Sequence, residues 1–362
     1  MRIDDLDTPA LLVNLDLMEA NIAALFAQLR PSGVRVRPHL KTAKCPEVAR
    51  ILAAAGARGF CVAKLGEAEV MAAAGIDDLL ITSEIAGAPK LRRLAALHAA
   101  HPQVRVVVDS VVGARLLDDA VAGSPTPLKV LIELDVGQGR CGAAPGEPAR
   151  ALARAIAGLP HLRLVGLQGY EGHLQHSADH RERDARVDAA MAQLTATADL
   201  LRADGHAIDQ VTTGGTGTCE RCASHPGVSE VQPGSFVFLD RAYRDALGPQ
   251  GGYANALTVI STVISRPVAG RAVLDAGLKA LPTDMGNAEP VGLPGVSYCP
   301  GGDEHGILTW ANDADPGLAI GDRVALIPGH IDTTVNLFDV YHAQRGGEVV
   351  AIWPIAARGR SQ

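Results

Sequence analysis

From residue 34 onward, short runs of β-branched and aliphatic residues alternate with Ala/Leu-rich stretches. The runs are VRVRPHL (34–40), GFCVA (59–63), DLLITSE (78–84), QVRVVVD (103–109), KVLIELDVG (129–137), LRLVGLQGYEG (162–172), DQVTTGG (209–215) and SEVQPGSFVFLD (229–240). Between most of them lie helical patterns such as PEVARILAAAGA (46–57), GEAEVMAAAGI (66–76) and APKLRRLAALHAA (88–100). Alanine and leucine dominate there, the residues that lose least on entering a helix. Several of these stretches stop at a glycine, as at Gly56, Gly75 and Gly205, where a left-handed cap is expected. Eight strand–helix units in about 240 residues predict an α/β fold, a TIM (β/α)8 barrel. A doubly wound open sheet is the structural alternative, and it needs no particular count.

After about residue 245 the pattern changes. ALTVISTVISRPV, RAVLDAG, HGILTWA, RVALIPGH, TVNLFDVYHAQ and GEVVAIWPIA read as strands joined by Gly/Pro/Asp turns. The expectation is a barrel over residues 1–245 and a C-terminal all-β domain over 246–362, with the Gly/Pro-rich stretch 288–303 as a loop.

Composition narrows the partners. Of 362 residues, 47% are hydrophobic and 20% charged, ordinary for a globular protein that needs no disulfide staples. The net charge is −7 and no Lys/Arg run is present, which argues against nucleic acid. The start, MRIDDLDTPALLVNLD, lacks the basic and apolar regions of a signal peptide, and no apolar run reaches the length of a membrane span. Six cysteines in such a chain are expected to stay reduced in the cytoplasm.

In a barrel, chemistry gathers at the C-terminal ends of the strands. The first run leads into Lys41, an amine that desolvation turns into a nucleophile; taken alone it reads rather as a solvated loop lysine. The fifth leads into Gly137-Gln138-Gly139-Arg140-Cys141-Gly142, where glycines admit a ligand to the backbone and Arg140 offers a fixed donor, or else form an ordinary turn. The sixth ends in Tyr170, His173 and His176, which suit acid–base work or merely cover the rim. The seventh gives Gly214, Gly215, Thr216, Gly217 and Thr218, by composition and position a phosphate cradle of backbone N–H and hydroxyl donors. Late in the chain, His330 and Asp332 sit two apart. On an extended segment they share a side and chelate one divalent ion, Mn2+, Co2+ or Mg2+; alone they read as a polar turn. Cys219 and Cys222 form a CxxC without a second ligand pair and are read as incidental.

Together these blocks resemble the fold-type III pyridoxal-phosphate enzymes, the D-threonine aldolase and D-serine dehydratase group with its alanine racemase-like N-terminal domain. RPHLKTAK, DVGQGRCG, GYEGHLQH, GGTGT, QPGSF, LDAGLKA, DEHG, PGHIDTTVNL and WPIAARG carry the resemblance, in order, over nearly the whole chain. It implies an N-terminal barrel, a C-terminal β domain and a homodimer. It further implies pyridoxal phosphate held covalently by Lys41, with Arg140 at its phenolic oxygen, Tyr170 near its pyridine nitrogen and Gly214 to Thr218 around its phosphate. His330 and Asp332 are implied as ligands of the divalent metal, and His176 as the contact to the substrate hydroxyl. Ala43 departs from the pattern, since relatives usually carry histidine there.

The resemblance implies a metal-assisted retro-aldol cleavage of a small D-3-hydroxy amino acid to glycine and an aldehyde. The second reading is a D-serine-type or D-threo-3-hydroxyaspartate-type dehydratase using zinc, which releases a keto acid and ammonia. Dehydratases of the group tend to place a cysteine where Asp332 stands, which favours the aldolase. A racemase needs no metal, and cofactor-binding proteins without catalysis lack a C-terminal β domain.

Overall fold

Eight parallel strands make the sheet that the sequence pattern anticipates. They are Arg35–Val36, Phe60–Val62, Leu79–Ile81, Arg105–Val108, Leu128–Leu134, Leu162–Gly169, Gln210–Thr213 and Glu230–Val231, here called the first to eighth barrel strands. The protein was analysed as a computed structural model that describes residues 1–311 and 315–362. The second to eighth strands pair in sequence order, and the eighth pairs with the first. A parallel bridge between His39 and Cys61 joins the first strand's continuation to the second, with Leu40 N–H donating to Cys61 O at 2.7 Å. The ring is thereby closed, and the barrel expectation holds over the open-sheet alternative. Cys61, Leu80, Val107, Leu131 and Val165, one from each of the second to sixth strands, cluster as buried core. Helices follow the strands with one face buried; in Ala88–Ala100 that face is Leu91, Leu94, Leu97 and His98.

The barrel unit comprises Leu25–Gly234 and Gly359–Gln362; the other unit comprises Met1–Ala24 and Ser235–Arg358. These bounds differ from the ranges 1–245 and 246–362 read from the pattern. The N-terminal residues join the strand-rich unit because Ala10–Asn14 pairs antiparallel with Leu257–Val268 and parallel with Val340–Arg345. That unit is a nine-stranded, mostly antiparallel sheet. It is not purely β: Arg241–Leu247 and Ile331–Val335 are helices. The stretch expected as a loop at 288–303 contributes the strands Glu289–Pro290 and Ser297–Pro300, the latter paired with Gly306–Thr309. Among the described residues, no helix is long and apolar enough to cross a membrane.

Candidate active site

Lys41 lies just past the first strand, on a turn fixed from two sides. Its backbone N–H donates to His39 Nδ1 at 3.3 Å, and His39 Nε2 is 3.0 Å from Thr82 Oγ1 beyond the third strand. His39 thus ties the lysine's backbone across the barrel rim, a role its motif position did not reveal. The neighbouring Lys44 is buried and its ammonium is paired with Glu67, which also accepts Ala63 N–H at 2.7 Å. Of the two lysines in this block, Lys44 is therefore committed to the fold.

The loop after the fifth strand is a built turn. Asp135 Oδ1 accepts the N–H groups of Gly137 and Gly139, each at 3.0 Å, and Ala143 N–H returns to Glu133 O at 2.9 Å. At Gly142 (φ +115°) a Cβ would lie 2.3 Å from Asp135 N, so only glycine closes the loop. The loop presents an exposed Arg140 whose guanidinium carbon lies 5.7 Å from the centroid of the Tyr170 ring. That distance is within cation–π range. His173 and His176 follow on the same rim, both exposed.

Gly214 to Thr218 are all buried. Three of the N–H groups that composition offered to a phosphate are engaged within the fold. Gly217 N–H donates to Gln175 Oε1 at 2.9 Å, Gly215 N–H to Thr218 Oγ1 at 3.2 Å and Gly214 N–H to Glu171 Oε2 at 3.4 Å. Thr213 Oγ1 also donates to Glu171 Oε2 at 2.8 Å. Glu171 and Gln175, in the block that carries Tyr170 and His176, are thus the internal scaffold of this loop, a function the sequence did not disclose. Cys219 and Cys222 lie on the short helix Cys219–Ala223 that follows. Burial pushes the Cys219 thiol up to about 12 and Cys222 well above its ordinary value, so the pair is inert as thiolates.

His330 and Asp332 belong to the strand-rich unit. They do not lie on an extended segment as expected: His330 caps the helix Ile331–Val335 and Asp332 sits in its first turn. His330 Nε2 and Asp332 Oδ2 are nevertheless 3.8 Å apart, a bite that fits one ion with ligand distances of about 2.1 Å. His330 Nδ1–H donates to Asp284 Oδ2 at 2.5 Å, and Thr333 Oγ1 donates to Asp284 Oδ1 at 2.9 Å. Burial works against the Asp284 carboxylate, but these two hydrogen bonds outweigh it and hold its pKa below the usual range. The chain brings Asp284 here by close packing: a Cβ on Gly329 would lie 2.1 Å from Gly286 O. Beneath, Asp240 accepts the N–H groups of Tyr243 at 2.8 Å and Ile331 at 3.0 Å, while burial raises its pKa to about 6. Among the described residues no group of three or more His, Cys, Asp or Glu is placed to hold a metal. A divalent ion at His330 and Asp332 would therefore have two protein ligands, with Asp284 as an outer carboxylate on the imidazole.

Comparison with known proteins gives consistent matches. Residues 13–242 match the family described as the alanine racemase N-terminal domain, and residues 256–344 the putative serine dehydratase domain. A D-threonine aldolase from an Arthrobacter species is 39% identical, over 98% of this chain and 94% of that protein. A 3-hydroxy-D-aspartate aldolase from Paracoccus denitrificans is 37% identical, over 99% and 94%. The crystal structure of D-threonine aldolase from Filomicrobium marinum superposes with a TM-score of 0.96 at 38% identity, covering 100% of this chain and 98% of that one. A D-threo-3-hydroxyaspartate dehydratase from a Delftia species is more distant, at 31% over 96% and 97%.

Proposed function

The chain belongs to the family that joins an alanine racemase N-terminal domain to a serine dehydratase domain, and on that premise we propose a pyridoxal-phosphate- and divalent-metal-dependent lyase. Its reaction is the retro-aldol cleavage of small D-3-hydroxy amino acids to glycine and an aldehyde. One observation carries the reading. A strand-end amine, a guanidinium on an aromatic face and a buried Gly/Thr loop follow three strands of one barrel, all at its C-terminal end.

When bound, pyridoxal phosphate supplies an electron sink for the pair released at Cα, and the divalent ion a positive charge against the 3-hydroxyl oxygen. Lys41 Nζ would hold the cofactor. Arg140 would donate to the anionic ring oxygen, Tyr170 would serve the ring nitrogen, and Gly214, Gly215, Thr216, Gly217 and Thr218 would enclose the phosphate. His330 offers Nε2 and Asp332 its carboxylate to Mn2+, Co2+ or Mg2+, while Asp284 accepts the Nδ1 proton and keeps the Nε2 lone pair outward. His176 accepts the 3-hydroxyl proton on its imidazole nitrogen. A homodimer in the cytoplasm belongs to the same proposal.

The test is a product assay on purified protein with pyridoxal phosphate, Mn2+ and D-threonine, beside D-serine and D-3-hydroxyaspartate. Glycine and aldehyde without ammonia are expected. Ammonia with a keto acid would transfer the protein to the dehydratases. His176→Ala is expected to lower cleavage by roughly 10²–10⁴-fold with cofactor still bound; full activity would remove His176 from the scheme.

A further inference from the structure

The loop assigned to the cofactor's phosphate is tied to a buried acid. Glu171, two residues beyond the sixth strand, is fully buried. The hydrogen bonds that reach it come from uncharged donors, two to each oxygen. Thr213 Oγ1 at 2.8 Å and Gly214 N–H at 3.4 Å meet Oε2; Gln175 Nε2 at 3.1 Å and Thr218 Oγ1 meet Oε1. A carboxylate accepts and does not donate, so it sets the direction of the bonds around it. Thr218 Oγ1 spends its proton on Glu171 and accepts from Gly215 N–H at 3.2 Å and Gln175 Nε2 at 2.8 Å. With its NH2 committed to Glu171 and Thr218, Gln175 turns Oε1 to Gly217 N–H at 2.9 Å. Two glycines of the loop serve the same contact. A Cβ on Gly215 would lie 2.4 Å from Gln175 Oε1, and one on Gly217 would lie 2.3 Å from Gln175 O. Both glycines are thus used in bringing the loop onto Gln175.

We propose that Glu171 is a positioning residue for the cofactor's phosphate: through Thr218 and Gln175, its carboxylate turns the N–H groups of Gly214, Gly215 and Gly217 into the fold and holds the loop in its binding shape. The charge by itself works the other way, since an anion beside a phosphate site repels the ligand. Glu171→Gln separates the two effects. It removes the charge, and it puts an NH2 where two donors already point. The inference rests on the assignment of this loop to pyridoxal phosphate.

The experiment uses full-length, cofactor-stripped protein and two ligands, pyridoxal phosphate and pyridoxal, which lacks the phosphate. Dissociation constants are read by absorbance at one pH. The wild-type preference for pyridoxal phosphate over pyridoxal should fall roughly tenfold in Glu171→Gln, because a loop with a buried, unsatisfied donor populates its binding shape less. Pyridoxal does not engage the loop and should bind both proteins alike, a result that a general loss of structure would not give. Gln175→Met keeps the carboxylate and frees the Gly217 N–H. It should lower the same preference, and it carries the test if Glu171→Gln does not fold. An unchanged preference in the folded variants would overturn the proposal. So would a preference raised in Glu171→Gln, the outcome that loss of charge alone predicts. A wild type that binds pyridoxal phosphate no more tightly than pyridoxal would instead defeat the phosphate assignment itself, and the proposal with it.

Discussion

The two ends of the barrel treat charge in opposite ways. At the N-terminal end, Arg37 is 2% exposed and Glu230 fully buried, joined from Nε to Oε1 at 2.8 Å. Arg37 Nη1 also donates to both the backbone oxygen and Oδ1 of Asp78, each at 2.8 Å, and Arg105 pairs with the same Asp78. Despite partial burial, these guanidiniums keep Asp78 below the usual carboxylate range. Each carboxylate of the floor thus meets guanidinium groups, and its charge is balanced by pairing. At the C-terminal end, burial foremost and then the charge of Glu84 push the Glu133 carboxyl up to about 8, while Arg140 is exposed and lies 5.7 Å from the Tyr170 ring. Here the buried carboxyl is met by a neutral amide, Gln168, in place of a guanidinium. Pairing commits the floor's guanidiniums to the fold, whereas the exposed Arg140 is not buried in it.

The largest effect that would break this contrast is Arg37→Met. Removing the guanidinium leaves buried Glu230 with only the more exposed Arg35 at 3.7 Å, and a loss of about 3–5 kcal/mol is expected in chemical denaturation followed by circular dichroism. An unchanged midpoint would show that the floor pair does not hold the barrel.

Glu133→Gln should act in the reverse sense and only in part of the pH range. The folded pKa of about 8 stands above the ordinary 4.5, so between those values the unfolded chain gives up a proton that the folded protein keeps. Wild-type stability therefore falls as pH rises through this window. The variant should lack the slope, gaining on the order of a few kcal/mol at about pH 8 and nothing below about pH 4.5. Denaturation curves at the two pH values check it. Smallest is Arg35→Ala. Arg35 is half exposed and 3.7 Å from Glu230, so the change should stay within about 1 kcal/mol; a larger loss would mean that the floor depends on more than its buried pair.

Much of the barrel was legible because a parallel sheet under helices repeats one local pattern, and each of the eight runs became a strand. The eighth, read as 229–240, shrank to Glu230–Val231 because the chain turns away at Pro233. What stayed hidden was pairing between distant residues. Ala10–Asn14 reads as an isolated apolar run until its partners near residues 257 and 342 are known. Asp284 lies 46 residues from His330, with no motif to join them. Glu171 and Gln175 sat inside a recognised block, yet only the fold shows that they consume N–H groups of the Gly214–Thr218 loop. His330-Ile331-Asp332 was read as extended, but Asp240 accepting Ile331 N–H helps to start a helix there.

The floor pair also sets a schedule for synthesis. Arg37 leaves the ribosome 193 residues ahead of Glu230, a delay on the order of 10–40 s at typical elongation rates. Asp78 follows Arg37 by only 41 residues, but the buried carboxylate that meets Nε arrives last. A nascent chain carrying seven strands still lacks the eighth, which pairs with both the first and the seventh, so the ring and its buried pair are completed together.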